Sequence, residues 1–151
     1  MLERIDHVNI VVADMPTMIA FYRDLLGMRV TREATISGDW IDQVTGLNKV
    51  VADVAFLEMP EGPSIELLKY QSPNGFRPDD LGRSNTQGLR HIALRVRAID
   101  EWVERLQAAD IKLQSAIFRV PAMQVEYTAA QKRLVYFHDP EGNLLELCSY
   151  E

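Results

Sequence analysis

The chain has 151 residues, of which 47% are hydrophobic and 25% are charged, values typical of one globular domain with a buried core. Its 22 acidic and 16 basic residues give a net charge of -6. The basic residues are also scattered along the chain, whereas nucleic-acid binding needs a concentrated basic surface, so a polyanionic partner is disfavoured. A single cysteine, the lack of an apolar leader and the lack of a run of about 20 apolar residues indicate a cytoplasmic protein without disulfides or membrane spans.

The first half of the chain predicts one strand, one helix and three further strands. The predicted strands are Ile5–Val12, Met28–Ile36, Val50–Met59 and Ser64–Tyr70. Asp14 is a candidate helix N-cap, Pro16 is tolerated in a first turn, and Gly27 is a typical helix stop. The predicted buried face of this helix consists of Ile19, Tyr22, Leu25 and Leu26. The stretch Ser37–Lys49, which contains Trp40, is either a short helix or a flap over a cavity.

The second half repeats this order. The extended candidates are Leu89–Val96, Lys112–Val120, Met123–Thr128, Leu134–His138 and Leu144–Tyr150. Asp100 is a candidate N-cap for a helix that ends near Asp110. Trp102, Val103 and Leu106 would form the buried face of that helix. The tetrapeptide Asp139-Pro140-Glu141-Gly142 predicts a turn before the last strand.

The spacing of four polar residues supports an internal duplication. His91 follows His7 by 84 residues, and Glu146 follows Glu66 by 80. Small differences in loop length can absorb the discrepancy. We therefore predict an α+β fold for residues 1–151 as a single domain, with one βαβββ module over about residues 1–75 and a second over about residues 86–151, which form a curved mixed sheet around a shared cavity.

These four residues are candidate metal ligands. Side chains alternate faces along a strand, and in each of the four strands the aliphatic phase can pack under a helix while the other phase carries one of the four. A single His in a strand is more often a core residue, and a single Glu more often faces solvent, but two of each at matching places favour a metal. Two imidazoles and two carboxylates suit one divalent ion, namely Zn, Ni, Co, Mn or Fe.

Two more side chains share the phase of these candidates. Cys148 lies in the phase of Glu146, and as a small buried side chain it is interpreted as a filler. Arg95 lies in the phase of His91. The sequence leaves open whether Arg95 binds a substrate carboxylate or phosphate or forms a salt bridge at the rim of the cavity.

The motifs around these residues resemble the vicinal oxygen chelate superfamily, which contains glyoxalase I, methylmalonyl-CoA epimerase, extradiol dioxygenases and the fosfomycin and bleomycin resistance proteins. The matching segments are Ile5-Asp6-His7-Val8, Leu26-Gly27, Ile65-Glu66-Leu67, Leu89-Arg90-His91-Ile92-Ala93-Leu94, Phe137-His138-Asp139-Pro140-Glu141-Gly142-Asn143 and Leu145-Glu146-Leu147. The set His7, Glu66, His91 and Glu146 resembles the metal ligands of bacterial glyoxalase I. Members of that family carry Arg and Asn for glutathione where this chain has Val11 and Tyr70. That departure weighs against a glutathione substrate.

The resemblance implies a lyase or isomerase of the glyoxalase I or epimerase type. A substrate with two neighbouring oxygens would chelate the metal, which would stabilise an enolate or enediolate. By analogy with glyoxalase I, Glu146 is the expected base, and Glu66 would return the proton. A homodimer is the family habit, and the sequence leaves open whether the site forms within one chain or between two. The alternatives are an Fe(II) or Mn(II) ring-cleaving dioxygenase, with His7, His91 and Glu146 as ligands, and a protein that sequesters a small molecule.

Overall fold

The computed structural model describes residues 1–122 and 131–151. The chain divides into two compact units, Met1–Arg77 and Pro78–Glu151, called the first and second unit below. The predicted strand Met123–Thr128 lies outside the described residues.

The first unit is a βαβββ module with one additional helix. Its elements are β1 (His7–Val11), α1 (Met15–Ala20, continued by a π-helical turn at Phe21–Leu25), β2 (Arg29–Ser37), α2 (Asp39–Thr45), β3 (Val51–Glu58) and β4 (Ser64–Ser72). The strand order in the sheet is β1-β4-β3-β2. The β1–β4 pair is parallel and the other two pairs are antiparallel, which gives the mixed sheet that the sequence predicts.

The second unit repeats this topology. Its elements are β5 (His91–Arg95), α3 (Ile99–Ala108), β6 (Phe118–Arg119), β7 (Lys132–His138) and β8 (Leu144–Tyr150). The strand order β5-β8-β7-β6, with β5 parallel to β8, corresponds to that of the first sheet. The predicted fold class is therefore confirmed: the molecule contains two four-stranded mixed sheets built from βαβββ modules.

The aliphatic phase of each sheet forms the core beside its helix. In β4, Ile65 and Leu67 are fully buried, and in β8 the same is true of Leu145 and Leu147, while α1 contacts β4 and α3 contacts β8. Burial of each such side chain contributes about 1.5–3 kcal/mol, which fixes the phase of the strand. The remaining phase, which carries the candidate ligands, therefore faces the other way.

The first helix begins and ends where the sequence predicts, but its buried face differs. Asp14 caps the helix by accepting a hydrogen bond from the Thr17 amide, and Gly27 ends it with a φ of 79°. Among the predicted apolar positions only Tyr22 is fully buried, next to residues that the sequence analysis did not single out, Met15, Met18 and Phe21. The π-helical turn adds a residue to one turn and so rotates the later side chains around the axis.

Two expectations for the second unit are wrong. The residue at the N-cap of α3 is Ala98, with a φ of 48°, and Asp100 lies within the first turn. Of the predicted strand Lys112–Val120, only Phe118–Arg119 pairs as a strand, while Leu113 makes an isolated bridge to Phe137. In contrast, the turn at Asp139 forms as predicted and is held by hydrogen bonds that Asp139 accepts from the chain after it.

Candidate metal half-sites

The first candidate pair lies on β1 and β4 of the first unit. Glu66 lies beside Asn9 in the parallel ladder, and His7 lies two residues before Asn9 on the same face. Nε2 of His7 is 3.5 Å from Oε2 of Glu66, and the Asn9 amide donates a hydrogen bond of 2.8 Å to the same oxygen. Asn9 therefore fixes the orientation of the Glu66 carboxylate toward the imidazole.

The other ring nitrogen of His7 has its own partner. Nδ1 of His7 is 3.0 Å from an Asp6 carboxylate oxygen, and the hydrogen bond to His7 lowers the pKa of Asp6. The His7 and Phe56 rings form a T-shaped pair with a centroid distance of 5.8 Å. A carboxylate on one imidazole nitrogen orients the ring and makes the other nitrogen a better metal ligand.

The second candidate pair repeats the first. Ala93 takes the place of Asn9 beside Glu146, and His91 lies two residues before Ala93. Nε2 of His91 is 3.2 Å from Oε2 of Glu146, whose side chain is only 3% exposed. Tyr136 takes the place of Phe56, with its ring centroid 5.0 Å from that of His91.

Lys132 is part of this second pair, and the sequence analysis did not identify it. Its Nζ lies 2.6 Å from Oε1 of Glu146 in an ion pair that is not aligned as a hydrogen bond. Burial lowers the pKa of Lys132, but Glu146, together with the smaller effects of Tyr150 and Cys148, outweighs burial, and the net effect is a raised pKa. The predicted strand begins at Leu134, whereas β7 begins at Lys132, two residues earlier and in the phase of Leu134 and Tyr136.

The additional segment of the first unit covers one end of the face that carries His7 and Glu66. The segment contains helix α2, and its Ile41 packs against Ala52, Val54 and Leu68 on that face. Of the two predicted alternatives for Ser37–Lys49, a short helix is therefore correct over Asp39–Thr45.

The separation within each pair can be compared with that of two ligands of one metal ion. Two ligand atoms that are each about 2.1 Å from an ion and about 90–110° apart at it are separated by about 3.0–3.4 Å. The distance of 3.2 Å in the second pair falls in this range and that of 3.5 Å in the first lies just outside it. Both exceed the roughly 2.7–2.9 Å of a charge-assisted hydrogen bond.

The donors come in pairs. Among residues 1–122 and 131–151, no group of three or more His, Cys, Asp or Glu side chains is arranged to hold a metal ion. Each unit thus contains one nitrogen donor and one oxygen donor next to each other, a pair that is called a half-site below. Imidazole and carboxylate are suitable ligands for Zn and for the other divalent transition metals.

Cys148 and Arg95 share the strand phase of the second half-site. Cys148 is buried as expected, and its burial raises the pKa of the thiol. The Arg95 guanidinium lies over the Tyr150 ring at 4.9 Å, and among the described residues no carboxylate forms an ion pair with it.

Comparison with known proteins identifies the family. Residues 4–147 match the Glyoxalase/Bleomycin resistance protein/Dioxygenase superfamily, and the chain belongs to it. The uncharacterized protein YaeR of Escherichia coli (strain K12) is 32% identical over 150 residues, which cover 97% of this chain and 95% of YaeR. The resemblance to the vicinal oxygen chelate superfamily is thereby confirmed.

Solved structures agree with this assignment. A glyoxalase family protein from Bacillus cereus is 28% identical with a TM-score of 0.83, over 99% of this chain and 95% of that one. The trypanothione-dependent glyoxalase I of Leishmania major shares the fold, with 21% identity and a TM-score of 0.65 over 98% and 87% of the two chains. The described part of the chain contains no helix that is both long enough and apolar enough to cross a membrane.

Proposed function

We propose that the protein is a divalent-metal-dependent lyase or isomerase of the glyoxalase I or epimerase type, which acts on a small molecule with neighbouring oxygens. In this proposal His7, Glu66, His91 and Glu146 bind one ion. The observation that carries it is the repeated His–Glu pair, at equivalent register positions of the two sheets and with separations of 3.5 and 3.2 Å.

The proposed chemistry is proton transfer next to a carbonyl. A bound cation (Zn, Ni, Co, Mn or Fe) would polarise the carbonyl oxygen and stabilise the enolate. Glu146 is the proposed base that takes the proton from carbon, and Glu66 is the proposed acid that delivers one to the isomerised or epimerised product. Both carboxyl groups then exchange protons with solvent, so that the next turnover begins from the same state.

Two residues support a substrate other than a glutathione adduct. In the position of the expected glutathione-binding Arg the chain has Val11, and in that of the Asn it has Tyr70, which packs against the cluster around Ile41. Val11 has no polar side-chain group, and Tyr70 offers a single hydroxyl in place of the paired donor and acceptor of an Asn amide.

Metal content and a substrate screen test this function. Protein purified without added metal should contain about one divalent ion per chain, and Glu146→Ala should retain part of the metal while losing turnover. The screen should contain 2-oxo hemithioacetals, acyl-CoA thioesters and catechols. Oxygen uptake with a catechol would instead indicate a dioxygenase, and ligand binding that is unchanged by a chelator would indicate a sequestering protein.

A complementation experiment tests how the half-sites combine in the proposed homodimer. One variant carries His7→Ala and Glu66→Ala, and the other carries His91→Ala and Glu146→Ala. If the ligands come from two chains, a mixture of the refolded variants regains one complete site in each mixed dimer. If they come from one chain, no mixture binds metal tightly.

A further inference from the structure

We infer that the second unit contains a binding subsite for a monoanionic substrate group, such as a carboxylate, formed by Lys132 and Arg95. This inference rests on the proposed function and narrows the substrate class. The substrate would carry two neighbouring oxygens that chelate the metal and, in addition, one negatively charged group.

Register places the two cations on the same face as the half-site. Arg95 lies beside Cys148 in the parallel ladder, and Lys132 lies opposite Tyr150 in the antiparallel one. The Arg95 guanidinium stacks on the Tyr150 ring, so both cations flank the same aromatic side chain.

The charges on this face do not cancel. Lys132 and Arg95 contribute two positive charges. Within the part of the chain that the structure describes, Glu146 is the only carboxylate that forms an ion pair with either of them. The protein as a whole has a net charge of -6, so this excess of positive charge is local. A cation bound at Oε2 of Glu146, beside His91, would offset part of the negative charge that Lys132 faces at Oε1, and Lys132 would then attract a further anion more strongly. An ammonium and a guanidinium are the usual partners of a bound carboxylate.

The first unit shows that the fold does not require these cations. Val11, Ala52 and Leu68 take the register positions of Arg95, Lys132 and Cys148, respectively. Of these three residues, Ala52 and Leu68 pack against Ile41 of α2. In the first unit this end of the face is filled by apolar packing, while in the second unit it carries two cations. A structural role common to both modules therefore does not account for Lys132 and Arg95.

The test compares two metal chelators that differ by one carboxymethyl group, which carries the additional negative charge. Protein saturated with Ni²⁺ is titrated calorimetrically with acetohydroxamic acid and with N-hydroxysuccinamic acid, which bears an additional terminal carboxylate. We expect the carboxylated probe to bind at least tenfold more tightly. Lys132→Met and Arg95→Met should each remove most of this preference, measured as the ratio of the two probe affinities within the same variant, and Lys132→Arg should retain it.

A matched control is Arg105→Met, since Arg105 also lies over an aromatic ring, that of Trp102 at 5.0 Å, but on helix α3. This variant should retain the preference. Equal binding of the two probes by the wild type, or a preference that survives both Lys132→Met and Arg95→Met, would overturn the subsite alone. Failure of the protein to bind Ni²⁺ would overturn the proposed metal function and the subsite with it.

Discussion

The two units have the same strand order and place a His–Glu pair at the same register, yet they hold the glutamate differently. In the first unit Glu66 receives a hydrogen bond from the neutral amide of Asn9. In the second unit Glu146 faces the ammonium group of Lys132, and the position of Asn9 is taken by Ala93. The two units therefore share the geometry of the His–Glu pair, whereas the neighbours of the two carboxylates differ and give them different electrostatic surroundings.

Removal of one candidate ligand should have the largest effect on metal affinity. Comparing the two histidines tests whether the two half-sites are equivalent. We expect His91→Ala and His7→Ala each to weaken metal binding by at least about 100-fold, because even the loss of a residue that only supports a ligand commonly costs 10–100-fold. Competition with a chromogenic chelator measures the affinity. A variant that retains wild-type affinity would exclude its half-site from the metal site.

Replacement of the carboxylate neighbours should separate the two halves. Lys132→Met should strengthen metal binding about tenfold, because the ammonium both competes for Glu146 and repels a second cation across a few ångströms. Asn9→Leu should weaken it, since Glu66 loses the donor that orients it. The same competition assay reports both affinities. Shifts in the same direction in the two variants would contradict the different roles assigned to these neighbours.

The ends of the two helices provide a comparison of stability. Gly27 has a φ of 79° after α1, and Asp110 has a φ of 55° just after α3. Gly27→Ala should lower the free energy of unfolding by about 1–2 kcal/mol, because a left-handed conformation is costly for a residue with a Cβ. No atom lies within 4 Å of the added Cβ, so steric overlap would not contribute.

The matched change in the second unit is Asp110→Gly, which should leave stability unchanged or raise it slightly, since it relieves the same conformational cost. Urea unfolding of both variants measures the two differences. Equal stability of Gly27→Ala and the wild type would show that the end of the first helix does not need this conformation.

The helix N-caps should give the smallest effect, and one that depends on pH. The Thr17 hydroxyl and amide donate to Asp14 and lower its pKa, whereas Ala98 provides no side-chain cap for α3. A lowered pKa in the folded state means that the ionised cap stabilises the fold above the ordinary pKa of 3.8, and that this stabilisation is lost as the pH falls through the folded-state pKa.

Asp14→Ala should therefore lower the melting temperature at neutral pH, and the difference from the wild type should shrink below about pH 4. Melting curves recorded from neutral to acidic pH test this. A difference that stays constant over the whole range would mean that ionisation of Asp14 does not contribute to the cap.

The sequence was sufficient to predict features that depend on local periodicity. Alternation along a strand assigns His7 and Glu66 to the face opposite the aliphatic residues, and β8 was predicted with its observed bounds, Leu144–Tyr150. Asp14 and Gly27 were identified because capping and left-handed turns depend on one or two residues. The metal ligation proposed for His7 and Glu66 stays a prediction.

Features that depend on contacts between distant residues required the tertiary structure. The contact between Lys132 and Glu146 spans 14 positions and arises only when β7 and β8 pair. The packing of α2 on the first sheet likewise depends on Ile41 meeting side chains from two strands. By itself, the sequence determined the duplicated modules and the strand faces, because alternation is a property of each segment. The tertiary structure alone decided which charge lies beside each glutamate, because that depends on which strands pair and in what register.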